Sequence, residues 1–191
     1  MSLWCPPGFI RLNTWFVRRR MRFDYLGKDV RIWSSCDIRR AIAPYIHIGN
    51  RVSISHDVWL NVPCPPSSPV KGKPIISIGD GTAVGRRCSI SGNGHIEIGA
   101  NVLFGPNVLV MDHAHEFENP HEPIMWQGIT EPGQIIIEEG CWLGYNSCIL
   151  THRNRTIRIG RNTVVGANAV VTKSFPSNSV LVGAPARNIK E

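Results

Sequence analysis

The densest chemistry in the chain lies in one stretch: Val110-Met111-Asp112-His113-Ala114-His115-Glu116-Phe117-Glu118-Asn119-Pro120-His121. Three of the seven histidines fall here, followed at once by Glu122. An imidazole titrates near neutral pH and suits the work of a general base. A carboxylate beside it can orient the ring and raise its basicity. Two other readings stand against this one. Asp112, His113, His115 and His121 could supply metal ligands, or the cluster could simply be a solvated polar loop. His47, His56, His95 and His152 show no spacing that would stack them on the cluster, so acid–base chemistry is preferred and no metal is expected. The six cysteines contain no C-x-x-C pair. They read as reduced thiols, with Cys88 and Cys141 in the core.

These residues need a scaffold, and its period is visible. From Ile48 the chain falls into six-residue units led by an aliphatic or aromatic residue: Ile48, Ile54 and Leu60; Ile78, Val84 and Ile90; Ile98, Phe104 and Val110; Ile137, Leu143 and Ile149; Ile159, Val165 and Val171. Between Ile90 and Ile98 the phase slips by two residues. Gly follows the leader at positions 49, 79, 85, 99, 105, 144, 160 and 166. A period of six fits neither an α-helix nor a simple alternation. It fits a short strand and a corner, repeated, with the leader inward and Gly expected to turn the corner. Three such units close one triangular coil, and coils stack at about 4.8 Å.

Three segments break the period: 61–73, rich in proline; 112–134; and a short extension over His152–Thr156. Long excursions from a compact solenoid usually carry function. The expected organisation is one chain in three parts: an N-terminal helical cap over 1–45, a solenoid over 46–175 with projecting loops 61–73 and 112–134, and a tail over 176–191. Within the cap, Phe9 to Tyr25 is expected to be an amphipathic helix. Its apolar residues are Phe9, Ile10, Leu12, Trp15, Phe16, Met21 and Phe23, and Arg18-Arg19-Arg20 lie beyond the apolar stripe.

The repeat resembles the hexapeptide-repeat acyltransferases, and the resemblance extends from about Ile46 to the C-terminus. It implies an all-β fold: a single-stranded left-handed parallel β-helix. The hand comes from the family, not from the period. The D-H-x-H string over Asp112–His115 resembles the acetyltransferases of capsule, lipopolysaccharide and colanic-acid synthesis. Counted from Gly105-Pro106-Asn107-Val108, the catalytic histidine of the maltose and galactoside O-acetyltransferases falls at His115. That makes His115 the expected base and His113 the alternative. The chain departs from those enzymes in having no Pro after His115 and a second histidine two places earlier. Glu131 corresponds by the same resemblance to a helper carboxylate. The runs Val165–Lys173 and Gly183–Lys190 match the cofactor end of the family. Backbone at Tyr145 and Ala167 would meet the pantetheine amides, while Thr172, Lys173, Arg187 and Lys190 would meet adenine and phosphates. Trp142 either lines that pocket or shields the solenoid edge.

The implied activity is transfer of an acetyl group from acetyl-CoA to a saccharide hydroxyl by direct attack, without an acyl-enzyme. The alternatives are amino-sugar N-acetylation and a non-catalytic solenoid scaffold. The resemblance also implies a homotrimer with sites between subunits. Lys and Arg number 21 against 14 acids, a net charge of +7, which favours anionic partners. Basic residues gather in the first 31 positions and again from Arg153 onward. No aromatic-interleaved motif supports nucleic-acid binding, so peripheral contact with an anionic membrane surface is the more modest reading of Arg18–Arg22. No secretory or membrane-spanning segment is read in the sequence, so a cytoplasmic protein is expected.

Overall fold

The computed structural model describes residues 7–190, with side chains from Thr14 onward. Its strands form three sheets that are parallel except for the last pair, and from Tyr25–Leu26 to Val170–Val171 each successive strand moves to the next sheet in rotation. The first face carries Tyr25–Leu26, Ile46–Ile48, Ile76–Ile78, His95–Ile98, Gln134–Ile137 and Thr156–Ile159. The second runs from Arg31–Ile32 through Ser53–Ile54, Ala83–Val84, Leu103–Phe104, Trp142–Leu143 and Val164–Val165 to Val180–Val182. The third holds Asp37–Ile38, Trp59–Asn61, Ser89–Ser91, Leu109–Met111, Cys148–Leu150 and Val170–Val171. The result is a triangular prism of stacked coils.

Registers show why the leaders are aliphatic. Ile48, Ile78, Ile98, Ile137 and Ile159 pair in one unbroken column on the first face. Leu60, Ile90, Val110, Ile149 and Val171 do so on the third. All ten are buried, and burial of each such side chain favours folding by about 1.5–3 kcal/mol. Removing one leader therefore opens a cavity between the two coils that flank it.

The prism begins earlier than the sequence reading placed it. Tyr25–Leu26, Arg31–Ile32 and Asp37–Ile38 already form a full coil paired to the next. Its leaders Leu26, Ile32 and Ile38 are six residues apart. The signal was present, but only Leu26 has a glycine behind it. Pairing also continues past Phe175, where Val180 and Leu181 join the second face beside Val164 and Val165.

The helix spans Pro7–Arg20 and stops short of Tyr25, because Tyr25 and Leu26 are needed as the first strand. The expected contributions of Phe9, Ile10 and Leu12 lie outside the residues whose side chains are described. Trp15 and Phe16 are about half exposed, whereas Val17 and Phe23 pack on the core. Arg18, though exposed, donates to the carbonyls of Leu26 and Gly27. The Thr14 hydroxyl accepts the Ile32 N–H at 3.2 Å. Thus the helix meets unpaired backbone groups at the open end of the prism.

The glycine after each leader has a different cause from the one expected. The left-handed backbone falls two places later, at Arg51, Gly81, Arg87, Asn101, Asn107, Gly140, Asn146, Asn162 and Asn168. The glycine itself answers to crowding between stacked corners: a Cβ on Gly79 would lie 2.5 Å from the Gly99 carbonyl carbon. Fifth-place side chains then satisfy corner carbonyls. Thr82 Oγ1 donates to Gly99 at 2.8 Å, Cys88 Sγ to Gly105 at 3.1 Å, and Cys141 Sγ to Gly160 at 3.2 Å.

Candidate active site

Two edges of the prism are regular. The third, where the chain passes from the third face to the first, carries every long interruption. The segments 62–75, 92–94, 112–133 and 151–155 all cross there. Each period break in the sequence is therefore the same corner, seen on successive coils.

Asp112 is the first residue of the large excursion and is fully buried. Its Oδ1 accepts the Asn93 N–H at 2.8 Å and its Oδ2 accepts the Gly94 N–H at 2.8 Å. Both donors belong to the tight turn one coil below. Gly94 leaves room for this: a Cβ there would lie 2.5 Å from the Gly133 carbonyl oxygen. Asp112 Oδ1 also lies 2.9 Å from His113 Nδ1, and His113 is only 8% exposed. A neutral His113 that donates from Nδ1 to Asp112 Oδ1 carries its lone pair on Nε2, on the far side of the ring. That is the tautomer a general base requires. His113 forms a wall of a cavity of about 240 Å³, together with Met111, Leu150, His152, Arg155 and Thr172.

The structure places the other expected residues differently. His115 is exposed; its backbone bridges antiparallel to Ile129, and it is not among the cavity walls. The carboxylates that were to assist it are engaged elsewhere. Arg153 holds Glu116 at 3.0 Å and Glu118 at 2.5 Å. Glu131 is exposed, accepts the Arg153 N–H through its backbone carbonyl at 2.6 Å, and does not wall the cavity. His121 is exposed as well, and among the described residues no three His, Cys, Asp or Glu side chains could share a metal ion. His152 was the miss: its Nδ1 is buried without a partner, in the wall that holds His113. The period break over His152–Thr156 marked the extension but not its meeting with His113, because the excursion separates the two histidines in sequence and only coil stacking joins them.

The residues expected at the cofactor fall in three places. Thr172 walls the cavity, with Lys173 next to it, its Nζ 5.4 Å from the Phe175 ring centre. Tyr145 and Ala167 sit one coil apart on the regular edge between the second and third faces. Their corners are tied by Asn168 N–H to Tyr145 O at 2.9 Å and by Asn146 Nδ2 to Asn168 Oδ1 at 2.8 Å. Tyr145 Oη accepts from Asn107 Nδ2 at 2.9 Å. Among the described residues, the N–H groups of Tyr145 and Ala167 meet no backbone acceptor. Trp142 is exposed on the second face, where the strand Arg187–Asn188 closes the stack antiparallel, and Lys190 follows it. Thiol chemistry has little footing: burial pushes Cys88 up to about 11, leaving almost no thiolate at neutral pH.

Comparison with known proteins agrees with this architecture. The family model described as hexapeptide repeat of succinyl-transferase matches residues 134–173. WcaF of Escherichia coli, assigned to colanic acid biosynthesis as an acetyltransferase, is 30% identical over 191 residues, covering 97% of this chain and 92% of its own. An acetyltransferase assigned in Mycobacterium tuberculosis is 31% identical over 98% of this chain. WbbJ of Escherichia coli, assigned to lipopolysaccharide biosynthesis as an O-acetyl transferase, is 32% identical over 63% of it. The chain spans 55% and 62% of the length of these last two relatives. Among solved structures, a variant of AntD, an N-acyltransferase from Bacillus cereus crystallised with dTDP and coenzyme A, superposes with a TM-score of 0.72 at 21% identity, covering 100% of this chain and 91% of its own. That likeness concerns the fold. With WcaF matched along nearly its whole length and the repeat itself recognised, the chain belongs to the hexapeptide-repeat acetyltransferase family.

Proposed function

We propose that this protein is an acetyl-CoA-dependent O-acetyltransferase acting on a saccharide hydroxyl, with His113 as general base. The observation that carries it is the buried Asp112–His113 pair at the mouth of a cavity on the irregular edge. The named activities of WcaF, WbbJ and the galactoside O-acetyltransferases support the chemical class. This reading moves the base from His115 to His113, since Asp112 orients only the latter.

A sugar hydroxyl has a very high pKa and attacks a thioester only as its proton leaves. His113 Nε2 takes that proton while the oxygen attacks the acetyl carbonyl. Asp112 holds the ring and stabilises the imidazolium that forms. The tetrahedral intermediate expels the thiolate, and the imidazolium returns the proton to sulfur. Acyl transfer is complete without a covalent intermediate on the protein.

The unused N–H groups of Tyr145 and Ala167 suit the amides of a pantetheine arm, and Lys173, Arg187 and Lys190 suit its phosphates. Tyr145 and Ala167 lie on a different edge of the prism from His113, so copies packed side by side are needed to face them across one groove. A homotrimer meets that requirement, with the hand of the coil left as in the resembled family. The half-exposed Trp15 and Phe16 beside Arg19 and Arg20 suit peripheral contact with an anionic membrane, where lipid-linked glycans are built. Among the described residues no helix is long and apolar enough to cross one.

The test is release of free thiol from acetyl-CoA in the presence of a panel of saccharides, with mass spectrometry of the product. A 42 Da gain on oxygen, lost in His113→Ala, is expected. Acetylation only of amino sugars would favour the N-acetyl alternative, and no acetylation by well-folded protein would favour a scaffold.

A further inference from the structure

The cavity beside His113 has one wall that the reaction above does not use. It is built by the extension 151–155, which lengthens the crossing between Cys148–Leu150 and Thr156–Ile159. This extension carries three basic groups, His152, Arg153 and Arg155. They are not equivalent. Arg153 is committed to Glu116 and Glu118 and so clamps the excursion. The next arginines along the chain are paired too, Arg158 with Glu138 at 2.7 Å and Arg161 with Glu139 at 3.3 Å. Arg155 has no carboxylate partner among the described residues, yet it walls the cavity. Its own main chain is fixed: the carbonyl accepts Gln134 N–H at 2.9 Å and Thr151 Oγ1 at 3.2 Å. His152 walls the same cavity and has a buried, unpartnered Nδ1.

A buried ring nitrogen without a partner is costly unless something fills the position. A guanidinium without a counter-ion offers a fork of donors matched to a planar or tetrahedral oxyanion. No carboxylate stands among the cavity walls, and the nearest one in the chain, Asp112, is already saturated by two N–H groups and His113. The wall therefore lacks negative charge and exposes donors.

We propose that Arg155 and His152 form an anion-recognition subsite for the acceptor, which is a saccharide carrying a carboxylate or a phosphate close to the hydroxyl that receives the acetyl group. This rests on the reading of the cavity as the acceptor site. Arg155 binds the anionic oxygens, and the His152 ring borders them in the same wall. The pair fixes the sugar so that one hydroxyl lies against His113. A uronic acid and a sugar phosphate share this chemistry, and the experiment separates them. Coenzyme A phosphates are the competing source of negative charge.

The acceptors are methyl glucoside, methyl glucuronoside and glucose 1-phosphate, assayed with the full chain under saturating acetyl-CoA. The wild-type protein should favour one anionic sugar over the neutral one by about 10–100-fold in kcat/KM, the range for a hydrogen-bonded charge. Whichever is preferred names the source. Arg155→Ala should collapse the ratio through the acceptor KM, Arg155→Lys should restore part of it, and His152→Asn should fall between. An unchanged ratio in Arg155→Ala, or a rise confined to the KM for acetyl-CoA, overturns the proposal.

A second measurement does not depend on turnover. Protein saturated with coenzyme A is titrated with inorganic phosphate and with methyl glucuronoside while the His152 ring signals are followed by NMR. A saturable shift that Arg155→Ala removes is expected. No shift, or one that survives the substitution, overturns the subsite. If no sugar is acetylated yet the shift depends on Arg155, the transferase reading falls and the anion subsite stands.

Discussion

Two segments leave the same edge of the prism, two coils apart, and they have little else in common. The first, 62–75, leaves after Trp59–Asn61 and returns at Ile76. It carries five prolines and no acid or histidine. Its anchors include no ion pair: Cys64 N–H to Asn93 Oδ1 at 3.1 Å, Gly72 N–H to Asp24 Oδ1 at 2.7 Å, Tyr45 Oη to the Pro66 carbonyl, and Ile75 N–H to Tyr45 O at 2.8 Å with Ile75 O accepting Ile96 N–H at 2.7 Å. The second, 112–133, leaves after Leu109–Met111 and is fastened at several points. Asp112 and Gly133 close its neck through Gly133 N–H to Asp112 O at 2.7 Å. Thr130 holds Ala114 by both its backbone N–H and its hydroxyl, at 2.8 and 3.1 Å. Arg153 then grips the acids beyond. Equal departure points with unequal anchoring teach that length alone does not mark the working excursion. The neck is what matters, because there a buried carboxylate can be held rigid on the coil below.

The sharpest way to break this comparison is His113→Ala. Turnover should fall by about 10²–10⁴, with the thermal midpoint little changed, since the solenoid core does not use that ring. His115→Ala should stay within a few-fold. Steady-state kinetics on both variants decides between the two histidines, and a reversed pattern would return the base to His115. Asp112→Asn comes next. The amide presents one acceptor where the carboxylate presents two, so one of the N–H groups of Asn93 and Gly94 loses its partner. About 1–3 kcal/mol of stability should go with it. Turnover should fall together with it, because the wrong tautomer of His113 is no longer disfavoured. A loss of stability with turnover intact would make Asp112 purely structural.

Much of this was legible beforehand, for a physical reason. Stacked coils impose one rule per position, so leaders, corner glycines and breaks repeat, and the prism can be read from Ile48, Ile78 and Ile98. The first coil was missed because its corners do not repeat the glycine. Corner crowding was misattributed because a sequence shows which residues recur but not which atoms meet across coils. Gly79 illustrates it: the dihedral explanation fails there and the 2.5 Å approach to Gly99 replaces it. The choice between His115 and His113 depends on geometry that a sequence does not carry: Asp112 precedes both in the D-H-x-H string, its 2.9 Å contact is with His113 Nδ1, and the N–H groups of Asn93 and Gly94 that hold it come from another coil.

Glycines sharpen the contrast between packed and projecting regions at smaller amplitude. Gly79→Ala drives a methyl into backbone that cannot move aside, and a loss of about 1–3 kcal/mol is expected. Gly128 in the large excursion has φ +85° and nothing within 4 Å of a new Cβ, so Gly128→Ala carries only the left-handed penalty of about 1 kcal/mol. Chemical denaturation of the two variants measures both. Equal losses would mean that crowding between corners does not set the glycine pattern.

The smallest effect belongs to the charges of the regular edges. Glu138 follows the leader Ile137 at the corner between the first and second faces. The Arg158 guanidinium and the Arg161 N–H, at 2.7 and 2.9 Å, hold its carboxyl below the usual carboxylate range. A depressed folded value contributes stability that is present above the unfolded value of about 4.3 and is lost as pH falls through the folded one. Glu138→Gln should therefore cost under about 1 kcal/mol at neutral pH, because the pair is solvent-screened. The cost should shrink as the pH is lowered into the acid range, where the wild-type carboxylate is itself neutralised. Thermal midpoints of the two proteins, measured from pH 7 down to pH 3, should converge, and turnover at pH 7 should be the same for both. A constant gap across that range would show that the side chain acts through packing instead of charge. A fall in turnover would show that the regular edges also reach the reacting groups, and the division of labour between the edges would have to be redrawn.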